Sequence, residues 1–247
     1  MQTKYVSRIH QYFVSMDKKR TAVLIHGSHM QANLRGQDWE QINCGYEDGK
    51  PTLKGRLLMG IRVAREFDAE LILYGTGSSE RDGVIEAQYS LNKTLELEDV
   101  LTELLHLSEE ERTSFKQWLL ARAELDLKSQ TTIEECRNNI DTCIEKGIER
   151  LVLVSSPWHI ERCLAEALAY TEILREQGKT PPEIYGTASY GSTEGVLILE
   201  PSHRGDRPHL RWNELAKLFF KIPEEKIIAF EKDLETLCAE YTKDTEK

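Results

Sequence analysis

Apolar positions along this chain follow two periods. Short apolar runs of the kind that suit strands buried on both faces occur at residues 21–25, 70–74 and 151–154. Between them the spacing becomes helical. Leu57, Leu58, Ile61, Val63 and Ala64 share one stripe, and Ile133, Cys136, Ile140, Cys143 and Ile144 share another. Further helices are predicted over 82–94, through the Leu-, Glu- and Arg-rich stretch 96–124, over about 157–176, and at 212–220 and 224–241. Residues 123–127 read as a short strand, with further strand candidates at 183–185 and 196–199.

The punctuation agrees with this pattern. Ser108 with Glu111, and Thr131 with Glu134, have the spacing of capping boxes. Lys146-Gly147 reads as a basic last turn followed by a C-cap glycine. Ser155 and Ser156 are N-cap candidates, with Pro157 suited to the first helical position. Strands alternating with helices predict an α/β fold, a mainly parallel sheet with helices on both faces. The expectation is a single domain over 1–247, with a helical insertion at 95–124 and C-terminal helices at 212–241. The sequence shows no repeat, low-complexity tract or linker.

Charge and cysteine usage narrow the partners. The 247 residues carry a formal net charge of −10, which repels nucleic-acid phosphates and anionic membranes at long range. Five cysteines, an odd number without a CxxC pair, read as reduced thiols in a cytoplasmic core. The first twenty residues have no apolar signal-like run, and no stretch approaches the ~20 apolar residues of a membrane span. The expected location is therefore cytoplasmic, with neither nucleic acid nor membrane as partner.

Candidate chemistry gathers where the strands end. Ligands of open α/β sheets sit beyond the carboxyl ends of the strands. Here those ends read His26-Gly27-Ser28, Gly75-Thr76-Gly77-Ser78, Asp126 to Thr132, and Ser155-Ser156. Glycines let a ligand approach the backbone, hydroxyls bind it, and a helix N-terminus attracts an anion. The candidate binding residues are Gly27, Ser28, Gly75, Thr76, Gly77, Glu86, Ser129, Thr132, Ser155 and Ser156. Each is also an ordinary turn, cap or surface residue, and only the repetition at successive strand ends favours a site.

His159 and Arg162 fall three residues apart at the start of a predicted helix. A helix N-terminus would keep His159 neutral, as a base or hydrogen-bond donor, and Arg162 would clamp an anion. Asp126 would be their carboxylate partner. Ser155, His159 and Asp126 supply the residue types of a hydrolase triad, but there is no G-x-S-x-G elbow. Neither a Walker loop nor G-x-G-x-x-G is present. His26, His29 and His203 lack metal-site spacing.

Two linked motifs carry a resemblance. Asp126-x-x-Ser129-x-Thr131-Thr132-x-Glu134-Glu135, followed by Val152-Leu-Val-Ser155-Ser156-x-x-His159-x-x-Arg162, resembles the YdcF/SanA/ElyC-type family (domain of unknown function 218), whose pattern is roughly E-x-x-S-x-N-T-x-E-N and then V-T-S-x-x-H-x-x-R-A. Arg56, Gly75, Glu86-Ala87 and Glu214 fall in the family's order. Asp126, Thr131, Glu135, Ser155 and Cys163 depart from its usual residues. The resemblance implies a Rossmann-like fold with a polar pocket for S-adenosylmethionine or a nucleotide.

The function expected from all this is binding of a small anionic or nucleotide-like molecule, with a hydrolytic or group-transfer reaction. Two rivals are a non-catalytic S-adenosylmethionine or nucleotide module, and a protein-interaction role for the acidic helices at 96–124.

Overall fold

A computed structural model describes residues 19–30 and 38–189. The strand expected at 196–199 and the helices expected at 212–220 and 224–241 lie outside them.

The three apolar runs become neighbouring strands: β1 (Thr21–Ile25), β2 (Leu71–Gly75) and β6 (Arg150–Ser155). Every residue in all three is buried, as both faces of a parallel sheet require. Two further strands, β5 (Ala123–Asp126) and β7 (Glu183–Ala188), complete a five-stranded sheet in the order β5-β2-β1-β6-β7. All four pairings are parallel.

Successive side chains on a strand point to opposite faces, and the core divides accordingly. Val23, Ile25, Ile72, Tyr74, Val152 and Val154 face one layer. Ala22, Leu24, Leu71, Leu73, Leu151 and Leu153 face the other. The first layer is built from α1 (Trp39–Cys44), α2 (Arg56–Glu66), α3 (Glu86–Glu96), α4 (Glu98–Leu104) and α5 (Glu109–Leu120). The second is built from α6 (Thr132–Glu145) and α7 (Ile160–Glu176). The result is an α/β, Rossmann-like architecture with helices on both faces of the sheet.

Local signals were honoured in most places. Ser108 and Glu111 form a reciprocal capping box at α5, and the 96–124 stretch carries α4 and α5. Thr131 caps α6 by accepting from Glu134 N, but Glu134 turns its carboxylate to Gln130 N, so this second box is one-sided.

Two expectations are corrected. The helix expected from Asp82 starts at Glu86. Before it, β3 (Glu80–Arg81) and β4 (Val84–Ile85) form an antiparallel hairpin. Its turn is Asp82-Gly83, both at positive φ (54° and 77°), the conformation that Asp-Gly turns adopt between paired strands. The helix expected from Ser155 or Ser156 starts at Ile160, with His159 at its N-cap position. The serines cannot cap it because their hydroxyls are engaged elsewhere: Ser156 Oγ accepts from Arg56 Nε (2.8 Å), and Ser155 Oγ meets His159 Nδ1 (2.9 Å).

No helix among the described residues is long and apolar enough to cross a membrane.

Candidate functional site

Sheet order locates the site. Numbered along the chain, the five main strands lie in the order third-second-first-fourth-fifth, so the winding reverses between β1 and β6. A crevice opens at such a switch point, beyond the strand ends. Its floor here is His26-Gly27 after β1 and Ser155-Ser156 at the end of β6, bridged by His26 N donating to Val154 O (3.0 Å).

The loop after β1 would ordinarily offer free amides to an anion. In this chain its own carboxylates take them. Gly27 N donates to Glu135 Oε1 (3.1 Å), and Ser28 N and His29 N donate to the two oxygens of Glu86 (2.7 and 3.1 Å). Glu86, wholly buried at the start of α3, also accepts from Trp39 Nε1 (2.9 Å) and Ser79 Oγ (2.6 Å). Ser28 Oγ is held by Asn43 Nδ2 (2.6 Å). Gly27, Ser28 and Glu86 thus form a closed clamp rather than an open anion cradle.

Glu135, on α6, accepts from His26 Nδ1 at 2.9 Å through its second oxygen. Its carboxylate fills the space beside Gly75, where an added Cβ would lie 1.4 Å from Oε1. Glycine at the end of β2 is therefore what admits Glu135 to the floor. Thr76 Oγ1 donates to Ser129 O (2.7 Å), as does Gly77 N (2.9 Å), tying the loop after β2 to the loop after β5.

Asp126 is committed to that second loop. It accepts from Lys128 N (3.1 Å), Ser129 N (3.0 Å), Asn139 Nδ2 (2.9 Å) and Ser129 Oγ. Four donors saturate its two oxygens, and none comes from His159. The triad pattern is therefore not assembled: Ser155 and His159 meet, while the carboxylate stays one loop away.

At the mouth sits His159, half-buried, with Ser155 Oγ on Nδ1 and Thr132 Oγ1 on Nε2 (3.3 Å). Burial, together with the charges of Arg56, His26 and Arg162, drives its pKa down to about 2. The imidazole is neutral near pH 7, as the sequence implied, though burial and neighbouring cations are the causes here. Arg162 points its guanidinium outward, about half exposed, and donates from Nε to Glu166 Oε1 (2.7 Å).

The cations inside the crevice are ones the sequence reading did not nominate. Arg56, at the first position of α2, is 1% exposed. Its Nε reaches Ser156 Oγ, and its Nη1 donates to the carbonyls of His26 (3.1 Å) and Gly27. Burial lowers its pKa, while Cys163, Glu135 and Glu86 favour its charge. His26 is buried as deeply. Burial alone would discharge it, but Cys163 and Glu135 outweigh that and push it up to about 10.

Of the nominated residues, Gly27, Gly75, Thr76, Thr132, Ser155, Ser156 and His159 come together around the switch point. Ser28 and Glu86 stand behind the first loop, Asp126, Ser129 and Gly77 form the β5 side, and Arg162 lies on the outer face of α7. The sequence reading missed Arg56, His26 and Glu135 as central groups. One usable signal was Glu135 itself, a carboxylate beside the apolar stripe of Cys136, Ile140 and Cys143. Among the described residues no cluster of three metal-ligating side chains is present. Comparison with known proteins finds no matching family model, curated protein or solved structure.

Proposed function

We propose that the chain binds a small anionic or nucleotide-like molecule at the β1/β6 switch point and acts on it by hydrolysis or group transfer. The observation that carries this reading is the buried guanidinium of Arg56. It lies under the crevice beside His26, with neutral His159 at the mouth. A cation this deep attracts an anionic group strongly, because little water screens it. His159, bracketed by two hydroxyls, supplies a neutral hydrogen bond or a proton relay to the bound molecule.

Kinship with the YdcF/SanA/ElyC-type proteins remains part of this proposal. It rests on the two motifs and on Thr132 of the first lying 3.3 Å from His159 of the second. The ligand preference is narrower than the resemblance alone implied. The sulfonium of S-adenosylmethionine would face Arg56 and His26, while both nearby carboxylates are already engaged by backbone amides and His26. An anionic ligand fits this donor set better.

The test is a thermal-shift screen against inorganic phosphate, nucleotides, sugar phosphates, S-adenosylmethionine and its demethylated product. A ligand at ~100 times its dissociation constant adds about 2.7 kcal/mol of stability. The expected result is a shift with an anionic compound that shrinks in both Arg56→Lys and His159→Gln. A panel without any shift, or a shift untouched by both substitutions, overturns the reading.

A further inference from the structure

We infer that the open edge of β5, with the acidic cleft beside it, docks an extended segment of a partner protein as an added strand of the sheet, one whose side chains alternate basic and apolar. The inference is independent of what the crevice binds, because this edge lies on the flank of the sheet rather than at the β1/β6 switch point.

Backbone geometry comes first. β5 pairs with β2 on one side, and among the described residues no strand lies on its other side. Ile72 stands opposite Ala123, and Ile72 N donates to Arg122 O (2.7 Å). In a parallel ladder that bond turns the amide and carbonyl of Glu124 toward β2, and those of Ala123 and Leu125 away from it. An edge left in this state is a template for another chain, which proteins commonly blunt with proline or lysine. Ala123-Glu124-Leu125-Asp126 contains neither.

The two faces of this edge differ. Ala123 and Leu125 pack into the first layer. Leu120 (47% exposed) and Leu127 (45%) flank the strand, and they are the exposed large apolar side chains among the described residues. Exposed apolar surface gathered in one place marks an interaction site, where scattered single residues do not. On the second-layer face, Glu124 stands beside Leu73, at a cleft of about 390 Å³ between β5 and α6. Glu124, Asp126, Asp141 and Glu145 line it, against the one ammonium of Lys128. Lys146 pairs with Glu124 (2.9 Å), and Asp141 accepts from the Tyr170 hydroxyl (2.9 Å). Even with Lys146 counted, carboxylates outnumber cations.

Side chains of an added strand alternate between such faces. One set meets the carboxylates and suits lysine or arginine. The other meets leucine and suits apolar residues. A second copy of this chain fits poorly, since each copy carries a net charge of −10 and would bring the same carboxylates to the joint.

Three labelled peptides test this on the full-length chain by fluorescence anisotropy. One alternates lysine and valine, one has the same composition with lysines and valines in separate blocks, and one alternates glutamate and valine. The alternating lysine peptide is expected to bind about ten-fold tighter than either of the others, and to slow amide exchange at Ala123 and Leu125 of the parent protein. Its advantage should vanish in Leu125→Pro, which deletes an outward amide and leaves the ladder to β2 intact, and should shrink in the Asp141→Asn, Glu145→Gln double variant. Equal binding of the two lysine peptides overturns the inference. So do edge amides that the peptide leaves unprotected, a result that stands even where Leu125→Pro fails to fold, and an advantage that survives in folded Leu125→Pro. A concentration-dependent dimer in light scattering that is lost in Leu125→Pro would assign the edge to a second copy and likewise overturn it.

Discussion

Replacing Glu86 by glutamine separates a loop clamp from a ligand group. The volume hardly changes, but one of two acceptor oxygens becomes a donor. Oε1 accepts from Ser28 N and Trp39 Nε1, and Oε2 from His29 N and Ser79 Oγ. Three of those four donors are N–H groups that cannot reverse; only the Ser79 hydroxyl can turn and accept. With the amide nitrogen in the Oε1 place, two N–H groups lose their acceptor. In the Oε2 place only His29 N does, so that orientation is cheaper. Stranding one buried N–H costs about 1–3 kcal/mol. The bonds that survive weaken as the charge disappears, by about 0.5–1 kcal/mol each, and part of this is offset because no charge is now buried. The net expectation is a loss of roughly 2–4 kcal/mol, out of a typical total of about 5–15. Urea unfolding followed by circular dichroism and tryptophan fluorescence measures it, through a lower midpoint at an unchanged slope. A variant within about 0.5 kcal/mol of the parent would refute the clamp. So would unchanged stability with lost ligand binding, which would restore Glu86 to the ligand-contacting role its sequence position suggested.

Gly75→Ala should evict Glu135 from the floor, since the new methyl would lie 1.4 Å from Oε1. Stranding His26 and Gly27 N in this way is expected to cost about 3–5 kcal/mol in the same unfolding assay, and a loss below about 1 kcal/mol would show that the floor repacks. Stability should peak near pH 6.5, the unfolded pKa of histidine, which denaturation midpoints across pH will test. On the acid side, His159 has a folded pKa of about 2, so the stability it contributes above about 6.5 is lost as pH falls below that value. The slope is up to about 1.4 kcal/mol per unit, read above pH 5 before carboxylates titrate, and a parent slope that persists in His159→Gln contradicts the assignment. On the alkaline side, His26 has a folded pKa of about 10, so its contribution is complete below about 6.5 and lost as pH rises toward 10; that limb should flatten in His26→Gln.

Some of this was readable from residue order because it depends on neighbours in the chain. Runs such as Leu151 to Val154 declare a strand buried on both faces, and Ser108 with Glu111 declares a cap, since each answers to contacts within a few residues. The start of α7 departs from its local signal for the opposite reason. Ser156 has the chemistry of an N-cap, but Arg56, a hundred residues earlier, takes its hydroxyl. Local propensity lost to a long-range partner that no window along the chain contains. Asp82-Gly83 is different: its hairpin signal is local, and it overrides the helix periodicity that runs through it.

The site divides in the same way. Strand ends could be listed from the sequence, so Gly27, Gly75 and His159 were found. Which charges would meet there could not, because Arg56, Glu135 and His26 come from a helix of each layer and from the loop that follows the strand between them. Their pairing also changes what the small residues mean. Gly27 and Ser28 read as an anion cradle only while their amides are counted as free. Once Glu86 and Glu135 occupy those amides, positive charge available to a ligand shifts from backbone to side chain, onto Arg56 and His26. A backbone cradle recognises an anion by shape and survives most substitutions around it. A buried guanidinium and imidazole recognise it by charge, and a single substitution at either one should change what this crevice can bind.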